Sequence, residues 1–254
     1  TTGAQNVAVG RHALGSNTTA NLNTAVGNEA LFANTTGFEN VAIGAQALDA
    51  NTTGYRNTAI GALDTLGANT TGYYNTAVGR ESLRFNTTGF ENVAFGVTTL
   101  EGNTTGTKNT ALGTYALRNN TTGVANTMVG YQAGLNNATS PSNTIVGFRA
   151  GETNTSTNGY NTFVGSYAGY SNTSGYNNTF IGARTGGLAA GYYVTTGAKN
   201  TIIGGYDGNQ GSLDIRTSNN YIVLSDGDGN ARMWVDGSSN TTFIHPFSAT
   251  VANG

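Results

Sequence analysis

The sequence predicts an all-β fold, a parallel β-solenoid or β-roll with turns of 17 or 18 residues, and three observations predict it. A pentad of the NTAVG type returns along the chain, its asparagine at Asn6, Asn23, Asn40, Asn57, Asn75, Asn92, Asn109, Asn126, Asn143, Asn161 and Asn178, spacings of 17 or 18. A small residue followed by leucine lies further on in each early unit, as in Ala30-Leu31, Ala47-Leu48, Thr65-Leu66 and Ser82-Leu83. An NTTG turn then closes the unit, at Asn34, Asn51, Asn69, Asn86, Asn103 and Asn120. Self-similarity at this period marks a repeat whose single coil cannot bury its apolar face and must stack on its neighbours.

The pentad reads as a short strand. Its third residue after the asparagine is bulky and apolar (Val26, Ile43, Ile60, Val78, Phe95, Leu112), and its second is alanine in the early units (Ala25, Ala42, Ala59, Ala77, Ala94, Ala111). Side chains alternate between the two faces of a strand, so both faces are apolar. One face can fill the coil together with the leucine, expected on a second short strand. The other requires a second surface, and the alanine row is assigned to assembly between chains, most simply as a homotrimer.

From about residue 126 the recipe changes. The second pentad residue becomes large (Met128, Ile145, Phe163, Phe180, Ile202), while Ala-Leu becomes Ala-Gly or Thr-Gly (Ala133/Gly134, Ala150/Gly151, Ala168/Gly169, Thr185/Gly186). Volume moves from one side of the coil to the other. Longer spacings follow, ending at Asn200 and Asn220, so residues 1–204 are assigned to the roll and 205–254 to a C-terminal cap. There the runs 221–225, 231–235 and 241–245 are separated by DGDGN and DGSSN, which predicts a three-stranded meander over the open end of the solenoid. The opening TTG reads as the tail of an NTTG turn, and the chain is expected to be a fragment, a processed product or part of a longer array.

Composition narrows the function classes. The 254 residues carry 11 basic and 13 acidic side chains, a net charge of −2, with no basic cluster, so neither nucleic acid nor an anionic membrane surface is an expected partner. Cysteine is absent, which removes disulfide frameworks and thiolate metal sites. No apolar run reaches the ~18 residues of a membrane-spanning helix. The two histidines, His12 and His245, lie far apart, and Glu29, Glu39, Glu81, Glu91, Glu101 and Glu152 are scattered over different turns. Acid–base catalysis needs convergent groups, so no enzyme, no cofactor and no metal site is expected. The DGDGN run at 226–230 resembles the start of a calcium loop, but Ala231 and Gly237 stand where Gly and Glu would be required, and a turn is the better reading.

Two features of the turns carry alternatives. The Asn-x-Thr/Ser pattern at Asn17, Asn34, Asn51, Asn69, Asn86, Asn103, Asn120, Asn137, Asn154, Asn172 and Asn240 matches the N-glycosylation acceptor. It equally fits asparagines bonded to the turn backbone and stacked into a ladder. Aromatic residues follow the turns at Phe38, Tyr55, Tyr73 and Phe90. They suit a glycan-binding platform, or a ladder of rings packed turn on turn. Threonine rows such as Thr35/Thr36 and Thr52/Thr53 also raise ice binding, although turn capping accounts for them.

The units NTAVG, NVAIG and NTAIG, each followed by a small residue and leucine, resemble the head repeats of YadA-like trimeric autotransporter adhesins. They are closer still to repeats of the form NTAIG-xx-AL-xx-NTTG in phage tail-fibre proteins, where a segment similar to Asn220 to Asn240 often follows. The resemblance implies homotrimers of left-handed parallel β-rolls in an extracellular location, on a virion tail fibre or a cell-surface appendage. It departs from the adhesins in its longer period and in the absence of a coiled-coil stalk or membrane anchor. The expected function is a structural and adhesive segment of an extracellular fibre, presenting a host glycan or receptor-binding surface. The alternative is a non-binding filament subunit, glycosylated or bare, that polymerises end to end.

Overall fold

In the computed structural model the described residues are 2–183 and 189–243. They form an all-β parallel solenoid. Twelve three-residue strands, beginning Val7–Val9, Thr24–Val26 and Val41–Ile43 and ending Thr179–Ile181 and Thr201–Ile203, pair side by side in sequence order. Every step of this ladder is parallel and in register with the repeat: Ala42 lies opposite Ala25 and Ala59, and Phe163 lies between Ile145 and Phe180. At ~4.8 Å per step, the eleven steps between these twelve strands make a rod of roughly 53 Å. The strand Ile222–Ser225 adds one more parallel rung, so the roll runs past the boundary expected near residue 205. The chain then reverses through Ala231–Val235 and Thr241–Phe243, both antiparallel, which is part of the expected meander. Residues 244 and 245 of its third run lie outside the described residues, as does the Thr185/Gly186 pair.

The strand faces are opposite to the expectation. The alanines assigned to assembly, Ala25, Ala42, Ala59, Ala77, Ala94 and Ala111, are wholly buried within the single chain, and they pack with Leu31, Leu48, Leu66, Leu83, Leu100 and Leu117 in one continuous core. The bulky third residues face solvent: Ile43, Ile60, Phe95 and Leu112 are all exposed, Phe95 by 57%. The reason is steric. A coil this thin has space for one large side chain per rung, and the leucine takes it. The leucine also does not lie on a second strand. It sits in a turn at left-handed φ, between 52° and 54° for Leu31, Leu48, Leu83 and Leu117, a conformation disfavoured by ~1 kcal/mol or more outside glycine and held here by backbone bonds such as Leu31 N–H to Ala47 O at 3.0 Å.

The change of recipe after residue 126 is a volume exchange. Met128, Ile145, Phe163, Phe180 and Ile202 take the buried space from the strand side, and Phe163 and Phe180 stack with centroids 5.1 Å apart. A Cβ on Gly151 would approach Ile145 Cδ1 to 2.7 Å, and one on Gly169 would approach Phe163 Cδ2 to 2.6 Å. Glycine is therefore what the enlarged strand residue leaves room for. The pentad glycine answers to a different constraint: Gly44 has φ 132°, and a Cβ there would lie 1.9 Å from Gly61 O of the next coil. Beyond the regular coils a small hairpin, Asn209–Gln210 with Leu213–Asp214, closes over Tyr206, whose buried hydroxyl donates to Leu213 O at 2.6 Å.

Candidate recognition surface

Two asparagine ladders hold the turns. In the first, the pentad asparagines are fully buried from Asn23 to Asn200. Asn57 Oδ1 accepts Asn75 N–H at 3.0 Å and Asn75 Nδ2 at 3.2 Å, and Asn75 Nδ2 also donates to Gly89 O at 2.9 Å. The second ladder runs through the NTTG asparagines. Asn69 Nδ2 donates to Asn51 Oδ1 at 2.8 Å and to Gly72 O at 3.0 Å, and Asn86 repeats the arrangement one coil on. The asparagines of the acceptor pattern are accordingly turn-bonded in the folded coil, the second of the two readings the sequence allowed. Asn34, Asn51, Asn69, Asn86, Asn103, Asn120, Asn137, Asn154 and Asn172 are fully buried, so a glycan on any of them would require the ladder to be broken. Asn17 is half-buried and donates to Ala20 O at 3.3 Å, while the exposed Asn240 donates to Asp236 Oδ2 at 2.9 Å.

The second ladder also shows its imperfections. The buried Asn172 Oδ1 has no hydrogen-bond partner, and Val194 occupies the corresponding place in the next coil. Asn120 Oδ1 is likewise unpartnered at the coil where NATS replaces NTTG, while Asn137 Nδ2 keeps its own turn bond to Ser140 O at 3.3 Å.

Outside the turns, Phe38, Tyr55, Tyr73 and Phe90 form a continuous stack, with centroid spacings of 5.0, 5.0 and 4.8 Å and planes within 5° of parallel. Each ring covers its neighbour's face, so the inner two rings, Tyr55 and Tyr73, offer solvent mainly their edges. A second aromatic row, unnoticed in the sequence because its rings fall at varying distances from the pentad, runs through Tyr115, Tyr131, Phe148 and Tyr167. Arg149 lies over Tyr167 and Tyr170 and is ion-paired with Glu152. Between these flanks runs the exposed strand face, bulky and apolar from Val9 through Ile43, Ile60, Phe95 and Ile181 to Leu224.

The scattered charges pair locally. Glu39 meets Arg56 at 2.6 Å, Glu101 meets Arg118 at 2.7 Å, and Asp64 meets Arg84 at 2.9 Å. Asp49 beside them has its carboxyl pushed up, first by burial and then by the Asp64 charge. His12 lies 3.9 Å from Glu29 across one coil step; His245 is outside the described residues. Among the described residues no three His, Asp or Glu side chains converge on a possible metal position, and no helix is long and apolar enough to cross a membrane.

In the comparisons with known proteins, the chain matches no protein-family model, no curated protein and no solved structure.

Proposed function

We propose that the chain is a structural and adhesive segment of an extracellular fibre, three copies wrapping a common axis and presenting their turn surfaces to a receptor or glycan. The observation that carries this reading is the exposed apolar strand face. Solvent-facing side chains as large as Ile60 and Phe95 recur at the same strand position along the rod, with half-buried valines such as Val78 and Val146 on other rungs, an apolar stripe of the kind that marks an interaction surface. Because the patch is straight and repeats with the coil, it suits an equally straight and regular partner, and a second copy of the same rod meets that requirement. Copies sharing an axis bring this stripe inward and leave the NTTG turns outward. The filament alternative finds less support: within the described residues the C-terminal side of the sheet ends in antiparallel strands, which do not continue the parallel register that end-to-end stacking would extend.

The test is mass in solution by light scattering, wild type against Ile60→Lys/Phe95→Lys. The wild type is expected at three times 26.0 kDa and the double variant at one. A monomeric wild type would remove the reading.

A further inference from the structure

A concave site lies at the break in the repeat. Where the Asn209–Gln210/Leu213–Asp214 hairpin meets the strand Ala231–Val235, a cavity of about 350 Å³ opens, lined by Gln210, Ser212, Leu213, Asn230, Arg232 and Trp234. That is the lower end of the range for small-molecule sites. Trp234 is the only tryptophan of the chain. It leans on the core at one side, is half-exposed at the other, and no aromatic ring stacks on it among the described residues. Its open indole contrasts with the side-wall rings, which stack on each other.

The polar walls are ordered by their own bonds. Gln210 Nε2 donates to Asn230 Oδ1 and to Asp228 O, each at 3.3 Å. The one cation is neutralised on the spot, since Arg232 Nε donates to Asp226 Oδ2 at 2.9 Å. A flat apolar platform, amide and hydroxyl groups around it, and no free charge together describe a site for an uncharged, polyhydroxylated ring: its C–H face would lie on the indole and its hydroxyls would meet the amides. We infer that the cavity between the hairpin and the Trp234 strand is a saccharide-binding site, taking one or two pyranose units. The inference rests on the adhesive reading above and assigns its glycan contact to the end of the roll, away from the Phe38–Phe90 stack.

Trp234 is its own reporter. The intact chain is titrated with glucose, galactose, rhamnose and N-acetylglucosamine while tryptophan emission is followed, with sorbitol as an acyclic control. At least one sugar is expected to give a saturable change that sorbitol does not. Gln210→Ala, which leaves the indole in place, is expected to weaken that sugar ~tenfold, and Trp234→Ala to abolish its saturation-transfer NMR signal. Emission indifferent to all four sugars would overturn the assignment. If instead a host polysaccharide binds the wild type and Trp234→Ala equally, and Tyr73→Ser/Phe90→Ser loses it, the adhesive reading stands and this site falls.

Discussion

Asn75 is the sharpest place to test what holds one coil to the next. Its Nδ2 donates to Asn57 Oδ1 and Gly89 O, and its Oδ1 accepts both Asn92 N–H and Asn92 Nδ2 at 3.1 Å. Asn75→Ala removes all four bonds, with unequal consequences. Gly89 O keeps Asn86 Nδ2 at 3.0 Å, and Asn92 Nδ2 keeps Gly106 O at 2.9 Å. Asn92 N–H, fully buried, keeps nothing. One orphaned buried donor costs about 1–3 kcal/mol, and each of the other three lost bonds about 1 more, so the expected loss is about 4–6 kcal/mol, or ~8–24 °C in Tm for a chain of this size. Thr71→Ala, at the exposed threonine of the neighbouring turn, is expected within ~0.5 kcal/mol of wild type.

Asn75→Asp adds a pH signature. The introduced carboxylate still accepts from Asn92 but now faces the Asn57 and Gly89 oxygens, so burial and repulsion raise its folded pKa above the unfolded value of about 3.9. A raised acid contributes stability at low pH that is lost as pH rises, so this variant should melt higher at pH 4 than at pH 7. Thermal melts by circular dichroism at fixed protein concentration read all of this. An Asn75→Ala melt indistinguishable from wild type would refute the view that the asparagine ladder is a principal tie between coils.

The volume exchange predicts a coupled pair: Gly169→Leu drives a side chain into Phe163 and Phe163→Ala opens a cavity worth ~3–5 kcal/mol, but the double variant restores the Ala/Leu recipe of the early coils and should be more stable than either single change, whereas additive losses in chemical denaturation would contradict the exchange. In the cap, the Asp226 carboxyl is held down to about 2, first by the Asn230 amide and also by the Arg232 guanidinium. A depressed acid gives stability that is present above its unfolded pKa and lost as pH falls through the folded one, so Asp226→Asn should flatten the pH dependence of the Trp234 unfolding signal between about pH 4 and pH 2; an unchanged profile would assign that acid limb to other groups.

The solenoid, its period and the shift of volume after residue 126 were legible because each is a covariation along the chain itself: a large residue at Phe163 with glycine at Gly169, a small one at Ala42 with leucine at Leu48. Which strand face points inward was not legible. Both faces are apolar, and the habit of placing the larger side chain inside fails when a leucine from elsewhere in the coil has already filled the interior. The turn asparagines carried two meanings in sequence, and the burial of Asn51 and its neighbours, invisible in the motif itself, is what the ladder reading draws on. The left-handed residues were equally silent. Glu39, Arg56, Tyr74 and Glu91 have φ between 54° and 56° yet none is glycine, since the adjoining coils impose the bend. The Trp234 cavity joins segments about twenty residues apart that share no motif, so it had no linear signal.

Nearly every bond between coils points along the rod, while the polypeptide itself runs around it. A pull or a sideways knock is therefore borne at each junction by a whole ring of short bonds acting at once, and the shaft resists stretching and bending far better than it resists having its last loop lifted away. Damage should begin at the tips and travel inward one loop at a time, which gives the reversed strands at one end the work of a ferrule.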